Sequence, residues 1–348
     1  MTLDQILFER YWHLACHRRE LSNDGDFIKF NGIHGEIVLF NDAGEIVAFD
    51  NKCPHRGARI YADDCGNRPA TCRYHGWTYK HGTIIVPEKQ RFKSSDIDKA
   101  RFNTFPVDWC GDFVFFAITP RVGLYEQLGK TAEILENISF NIDRRIDLNR
   151  YDYECYWPLV IENALEPYHI PAVHADTLAT LQLGDGENVL DGANSIWYAP
   201  VGDARLAKQL SRLRKLFNID YQYEGYMSIY IFPFTMISST YGYSYSLQNF
   251  FPAAHDENRT RFTSRLYASS TACENAARVL DSFFESTVWM NRQVFEEDHE
   301  VCKLLPRDSW SMEPLKCASD LESKILHFRQ TYRESACVQH ANHQLSKS

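Results

Sequence analysis

The sequence predicts an α+β protein. A small all-β domain at residues 10–120 precedes an α+β domain at 121–348, which takes in residues 1–9 and is built on a central antiparallel sheet. Three observations carry this expectation. Short runs rich in Val, Ile and Phe, broken by turn residues, fill the first third of the chain. Residues 221–267 alternate Tyr, Phe, Ile and Ser well enough to give several strands. Two stretches near the end, 276–305 and 319–332, carry helical patterning.

Taken in order, residues 1–20 begin as a short amphipathic helix and run into Tyr11-Trp12-His13-Leu14-Ala15-Cys16. Strands are expected at 26–30, 36–40 and 45–49, with turns at Asn31-Gly32 and at Asn41-Asp42-Ala43-Gly44. Short strands continue to 113–117. Residues 121–150 read as a charged, mainly helical connector, and 151–157 as a strand-like aromatic run. The polar, Gly-rich 184–194 reads as a loop. Residues 204–217 form a basic amphipathic helix whose lysines and arginines face solvent, with a lid over a pocket as the alternative. Tyr226, Tyr230, Phe232, Phe234 and Met236 alternate as on one strand and read as core packing. The last dozen residues are polar and are expected to fray.

The net charge of −9 argues against general affinity for nucleic acid. The first ten residues lack the basic start and small-residue cleavage site of a signal peptide. No apolar window approaches a membrane span, so a cytoplasmic protein without membrane contact is expected. Ten cysteines are then thiols or metal ligands rather than a disulfide framework. Cys16, Cys65, Cys110, Cys155, Cys273, Cys302, Cys317 and Cys337 have no partner at ligand spacing and read as plain thiols.

Cys53 and Cys72 differ. Cys53-Pro54-His55 is followed by Cys72-Arg73-Tyr74-His75, so two neighbouring loops each supply one thiolate and one imidazole. Such a set can hold a [2Fe–2S] cluster with two Cys on one iron and two His on the other. Gly57 and Gly76 follow each pair where the backbone must turn tightly, and Trp77 can shield the cluster. A zinc site from the same four residues is the competing reading. Zinc-site cysteines usually come as a pair with two to four spacers, which this pattern lacks.

Cys53-Pro54-His55-Arg56-Gly57 with Cys72-Arg73-Tyr74-His75-Gly76-Trp77 resembles the Rieske domain of the Rieske non-haem iron oxygenases. The segment Glu162 to His174 extends the likeness. It holds two histidines, two carboxylates and prolines at 167 and 171. Two His and one carboxylate on one face of an iron leave positions for O2 and substrate. His169 and His174 are five apart, which a regular helix does not place on one face. Pro171 between them is expected to bend or widen the helix. Asn163, Glu166, His169 and His174 match the family's mononuclear iron motif residue by residue. Two positions depart from it: the acid three before the first His is usually Asp, and Trp157-Pro158 stands where Trp-Lys is usual.

The resemblance implies a third iron ligand, a carboxylate on a late helix. Asp298 has Val294, Phe295, Val301 and Cys302 as helical neighbours and so sits in an apolar stripe. A carboxylate there needs a partner or a metal. Asp298 is the first choice and Glu297, expected nearer water, the second. Asp281 on the same helix reads as solvated, and His299 as a surface residue or a neighbour of the iron.

The resemblance further implies a helix-grip catalytic domain, mononuclear Fe(II) and a homotrimer. In that trimer Glu166 would link His169 of one subunit to His75 of the next. The implied activity is that of a terminal oxygenase that hydroxylates or oxidatively demethylates a small organic substrate with O2, a monooxygenase or demethylase before a ring-dihydroxylating dioxygenase. Electrons would come from a separate NAD(P)H-fed ferredoxin or flavin-containing reductase, because the chain carries no dinucleotide fingerprint. Arg56, Arg59, Arg68, Arg73 and Lys80 around the loops offer a docking patch for an acidic donor. A Rieske electron-transfer protein without oxygenase activity is the alternative.

Overall fold

The alternation at 221–267 becomes four antiparallel strands, Tyr226–Ile231, Thr235–Thr240, Ser244–Ala253 and Asp256–Ser269, in a computed structural model that describes residues 2–254 and 256–345. Three further strands complete a seven-stranded antiparallel sheet. Ile142–Tyr153 pairs outside Asp256–Ser269, and the hairpin Glu187–Asp191/Asn194–Ala199 extends the other side.

Both flanks of this sheet correct the sequence expectation. Residues 121–150 are helical only over Leu124–Leu128 and Thr131–Asn141, and then form the edge strand Ile142–Tyr153. The stretch 184–194 is not a simple loop, because Glu187–Asp191 forms the opposite edge strand. Glu187–Asp191 is exposed along nearly its whole length, whereas the polar side chains of Ile142–Tyr153 are half-buried and held in ion pairs, Arg145 with Glu20, Arg150 with Asp64 and Asp147 with Arg292. Charged edge strands discourage pairing with other chains. The Tyr226–Met236 alternation is interrupted by a tight turn between two strands.

Register places Trp197, Ser228, Ser238, Ser246 and Leu266 opposite one another across five strands, on one face. The serines are small, so space remains above them. The long helix Glu274–Cys302 lies over this face and closes the space. The other face carries Ile196, Ile229, Ile237 and Leu247. It packs on the helices at 124–141 and on Leu14 and Phe115.

Strands from the first part of the chain form a five-stranded sheet ordered Cys65–Asn67, Asp26–Gly32, Gly35–Asp42, Glu45–Asp50, Thr104–Phe105. Asn31-Gly32 is strand here, and the turn falls at Ile33-His34. Gly32 serves close packing instead, since a Cβ there would lie 2.5 Å from the Phe8 ring. Phe27, Phe40, Phe49, Tyr61, Trp77 and Tyr79 make the apolar floor beneath the two Cys/His loops. His13–His17 pairs with Phe113–Phe116 and shares its core with the large sheet.

The C-terminal helix Ser323–Leu345 begins four residues later than expected. Ser319 and Glu322 form a capping box in the short turn before it. The helix continues to Leu345, where fraying was expected, and 346–348 lie outside the described residues. Among the described residues no helix is long and apolar enough to cross a membrane.

Candidate metal centres

The two Cys/His loops are near copies of each other. In the first, the Cys53 N–H donates to Ala58 O and the Gly57 N–H to Cys53 O, both at 2.8 Å. In the second, Cys72 N–H donates to Trp77 O at 2.8 Å and Gly76 N–H to Cys72 O at 2.9 Å. Gly57 and Gly76 close these turns at φ +73° and +72°, a conformation that a side chain disfavours. Each loop therefore sets a buried Cys at its base and a His near its tip.

The imidazoles converge, with Nδ1 of His55 3.2 Å from Nδ1 of His75. His55 stacks on Trp77 at 4.8 Å between ring centres. Burial pushes the Cys53 thiol up, while the backbone N–H groups of His55 and Arg56 favour the thiolate. Two buried sulfurs, two adjacent ring nitrogens and N–H groups aimed at sulfur fit a [2Fe–2S] cluster. Of the five basic residues around the loops, Arg59 is held by Glu36 and Arg68 lies on Tyr61. Arg56, Arg73 and Lys80 stay exposed.

The second centre is built by an interrupted helix. Trp157–Leu165 ends at Glu166, whose extended backbone is what a residue before proline adopts. A separate turn, Ile170–Val173, carries Pro171 in its first turn, where a missing N–H does no harm. The histidines flank this turn, His169 before it and His174 after it. This corrects the expectation of a bent or widened helix.

Nε2 of His169 and of His174 are 3.2 Å apart. Asp298 Oδ1 lies 3.1 Å from the His174 nitrogen and 3.6 Å from the His169 nitrogen. One ligand atom from each of the three lies within 4.8 Å of the others, and Asp298 and His174 are buried. The outward nitrogens are held by acids. His169 Nδ1 lies 2.6 Å from Glu166 Oε1, and His174 Nδ1 lies 2.7 Å from Glu297 Oε2. Asn163 Nδ2 donates to Asp298 Oδ1 at 2.7 Å. Burial works against a charged His174, but Asp298 and Glu297 outweigh it and raise the imidazole above its usual value. Two Nε2 lone pairs and a carboxylate oxygen facing one point fit a divalent iron.

Glu297 is not the water-facing alternative that helical spacing suggested. It orients His174 and also accepts from Thr177 Oγ1 at 2.7 Å. His299 is neither exposed nor part of the cavity wall onto which the candidate ligands open. Its Nε2 accepts from the Glu154 N–H at 3.0 Å and its ring stacks on Tyr151. Glu162, at the start of the motif, is paired with Arg329 through two bonds of 2.6 and 2.9 Å.

The three candidate ligands open onto a cavity of about 370 Å³ between the long helix and the serine face of the sheet. Leu206 and Leu210 of the helix Ala204–Leu213 line it while Arg205, Lys208 and Arg212 face solvent, so that helix both covers the pocket and meets water. Tyr226 and Met236 line the cavity too, whereas Tyr230, Phe232 and Phe234 are core. Sequence reasoning missed Lys324, which is 2% exposed and lines the cavity. Its signal was present: Lys324 stands four and eight residues before Phe328 and Tyr332, on the buried face of its helix.

Comparison with known proteins agrees with both centres. Residues 11–95 match the Rieske [2Fe-2S] domain and residues 144–336 the ring hydroxylating alpha subunit catalytic domain. The 2-halobenzoate 1,2-dioxygenase large subunit of Burkholderia cepacia is 30% identical over 194 residues, which is 51% of this chain and 41% of that protein. The carnitine monooxygenase oxygenase subunit of Acinetobacter pittii is 25% identical over 217 residues, 60% of this chain and 57% of that one. The matched stretch thus spans only part of these relatives' own length. Among solved structures, the quaternary ammonium Rieske monooxygenase CntA superposes with a TM-score of 0.74 at 18% identity, covering 96% of this chain and 90% of that one. Naphthalene 1,2-dioxygenase superposes at 0.69 and 19% identity, covering 96% and 89%. With its catalytic-domain match spanning more than half of its length, this chain belongs to the ring-hydroxylating alpha subunit family, the Rieske non-haem iron oxygenases.

Proposed function

We propose that the chain is the terminal oxygenase of a multicomponent system that oxidises a small organic substrate with O2. One observation carries this reading: His169 Nε2, His174 Nε2 and Asp298 Oδ1 face one point on the wall of a cavity. The two-thiolate, two-imidazole loops in the same chain supply the electron store that oxygen activation needs. For a hydroxylation the balance is R–H + O2 + 2 e− + 2 H+ → R–OH + H2O. The relatives' names give 2-halobenzoate and carnitine as substrates, both small organic molecules.

The bound iron and cluster supply O2 activation and one-electron storage. The chain's residues set the stage for them. Glu166 and Glu297 hold the Nδ1–H of the two histidines, which turns both Nε2 lone pairs inward. Asn163 fixes one Asp298 oxygen. Leu206, Leu210, Phe283 and Met290 give the cavity wall apolar surface for a substrate's body.

Glu166 is read as the link between centres of neighbouring subunits in a homotrimer. Its carboxylate already holds His169, and His75 is exposed at a loop tip where a second subunit can reach it. In CntA electron transfer is between subunits. Arg56, Arg73 and Lys80 would receive an acidic reductase or ferredoxin. The test is NADH-driven O2 uptake with a surrogate reductase, together with iron analysis. About three iron atoms per chain and substrate-dependent uptake are expected. Two iron atoms and no uptake would leave a Rieske electron-transfer protein instead.

A further inference from the structure

We propose that Lys324 is the counter-ion for an anionic group of the substrate, so that the cavity selects small organic acids. This deepens the oxygenase reading and rests on it.

Lys324 is among the most buried charged side chains in the protein. Among the described residues it has no hydrogen-bond partner and no carboxylate within ion-pair distance. Its Nζ lies 5.5 Å from the ring centre of Trp197, which also lines the cavity. A buried ammonium is tolerated when paired, hydrogen-bonded or set against an aromatic face. Only the last is present here, so its hydrogen-bonding capacity is unspent.

Glu166 is the acid whose charge Lys324 feels, yet that carboxylate is already engaged. One oxygen meets His169 Nδ1 at 2.6 Å and the other accepts the His169 N–H at 3.1 Å. Burial pushes Lys324 down to about 7, against the pull of Glu166. An anion drawn into the cavity would restore the charged form.

A second donor stands close by. Ser228 sits directly across from Trp197 in the sheet register and lines the same cavity. Its Oγ is buried and has no hydrogen-bond partner. An ammonium and a hydroxyl, both unsatisfied and both adjoining Trp197, form a donor pair suited to a carboxylate. Much of the remaining wall is apolar, with Leu206, Leu210, Phe283 and Met290. The site therefore suits a small molecule with one acidic end and an apolar body. It disfavours a cationic group beside Lys324.

The test measures binding to the iron-loaded protein without turnover. Benzoate, phenylacetate and hexanoate are each compared with their amides by calorimetry, on the natural protein, Lys324→Met and Lys324→Arg. At least one acid is expected to bind tenfold or more tightly than its amide. Lys324→Met should abolish that preference while leaving amide affinity and the cluster's EPR signal unchanged, and Lys324→Arg should retain part of it. The proposal is overturned if no acid outbinds its amide in the natural protein, a comparison that stands even if a variant fails to fold. It is also overturned if the preference survives Lys324→Met, including the case where only turnover falls and Lys324 merely supports Glu166. Failure of O2 uptake would instead sink the oxygenase reading and leave the acid preference standing.

Discussion

Glu297 and Asp298 are consecutive residues that grip the same imidazole from opposite sides. Glu297 Oε2 lies 2.7 Å from His174 Nδ1, and Asp298 Oδ1 lies 3.1 Å from Nε2. Adjacent helical positions differ by about 100° in direction, so only a ring inserted beside the helix can meet both. The metal-facing carboxylate and the ring-orienting carboxylate thus come from one turn of one helix.

Removing the orienting partner should loosen the metal without deleting a ligand. Glu297→Ala is expected to weaken iron retention by roughly 10- to 100-fold. Competition with a chelator, read as loss of the mononuclear iron at unchanged cluster absorbance, checks this. Equal retention in variant and natural protein would show that Glu297 does not orient His174.

The proposed route between subunits predicts a different phenotype for Glu166. Glu166→Gln should keep iron content and the cluster's EPR signal yet slow substrate-dependent O2 uptake at least tenfold. Near-normal turnover would remove Glu166 from the electron path. A loss of iron would instead assign it a purely orienting role on His169.

The Glu162–Arg329 pair anchors the C-terminal helix to the helix that leads into the iron site. Arg329 also donates to Glu313 O at 2.8 Å. Burial pushes Glu162 up and Arg329 holds it down. Arg329→Met leaves a buried acid unpaired and is expected to destabilise the fold by about 3–5 kcal/mol. The double change Glu162→Met with Arg329→Met should recover most of that loss in chemical denaturation. If the double variant is as unstable as the single one, the buried charge is not the cause.

Acid should weaken the fold through two histidines outside both metal centres. His13 and His17 are buried, and burial lowers each to about 4 from an unfolded value near 6.5. The unfolded chain takes up these protons first, so their contribution is complete above about pH 6.5 and is lost as pH falls through 4. Each accounts for about 3 kcal/mol across that window. The Nδ1 of His13 has no partner, so a second N–H there would be buried unsatisfied, while the contact of Nε2 with Phe8 O at 2.8 Å pulls the other way and is outweighed by burial. His13→Gln should therefore make the stability-against-pH slope shallower between 6.5 and 4. An unchanged slope contradicts the assignment.

The candidate sites were most legible where the residues are local. Cys53, His55, Cys72 and His75 lie on two short loops of like spacing, and the fold brings their imidazoles together. Asp298 was legible because a carboxylate inside an apolar helical stripe is anomalous. Glu297 was not, because helical spacing shows which neighbours share a face, not which side chain of another segment inserts beside it. Lys324 sat on a helical stripe as visibly as Asp298, yet a lysine near a polar terminus reads as solvated until the cavity is seen. The edge strands Ile142–Tyr153 and Glu187–Asp191 escaped for a related reason: one is evenly half-buried and the other evenly exposed, so neither carries the period-two signal that marks a strand with one buried face.

On the reading proposed above, His169, His174 and Asp298 hold one iron in addition to the cluster. Iron analysis of the purified protein beside Asp298→Ala separates that iron from the cluster's two. About three iron atoms per chain are expected in the natural protein and about two in the variant, with the same cluster EPR signal in both. Equal iron content in the two proteins would mean that Asp298 holds no iron.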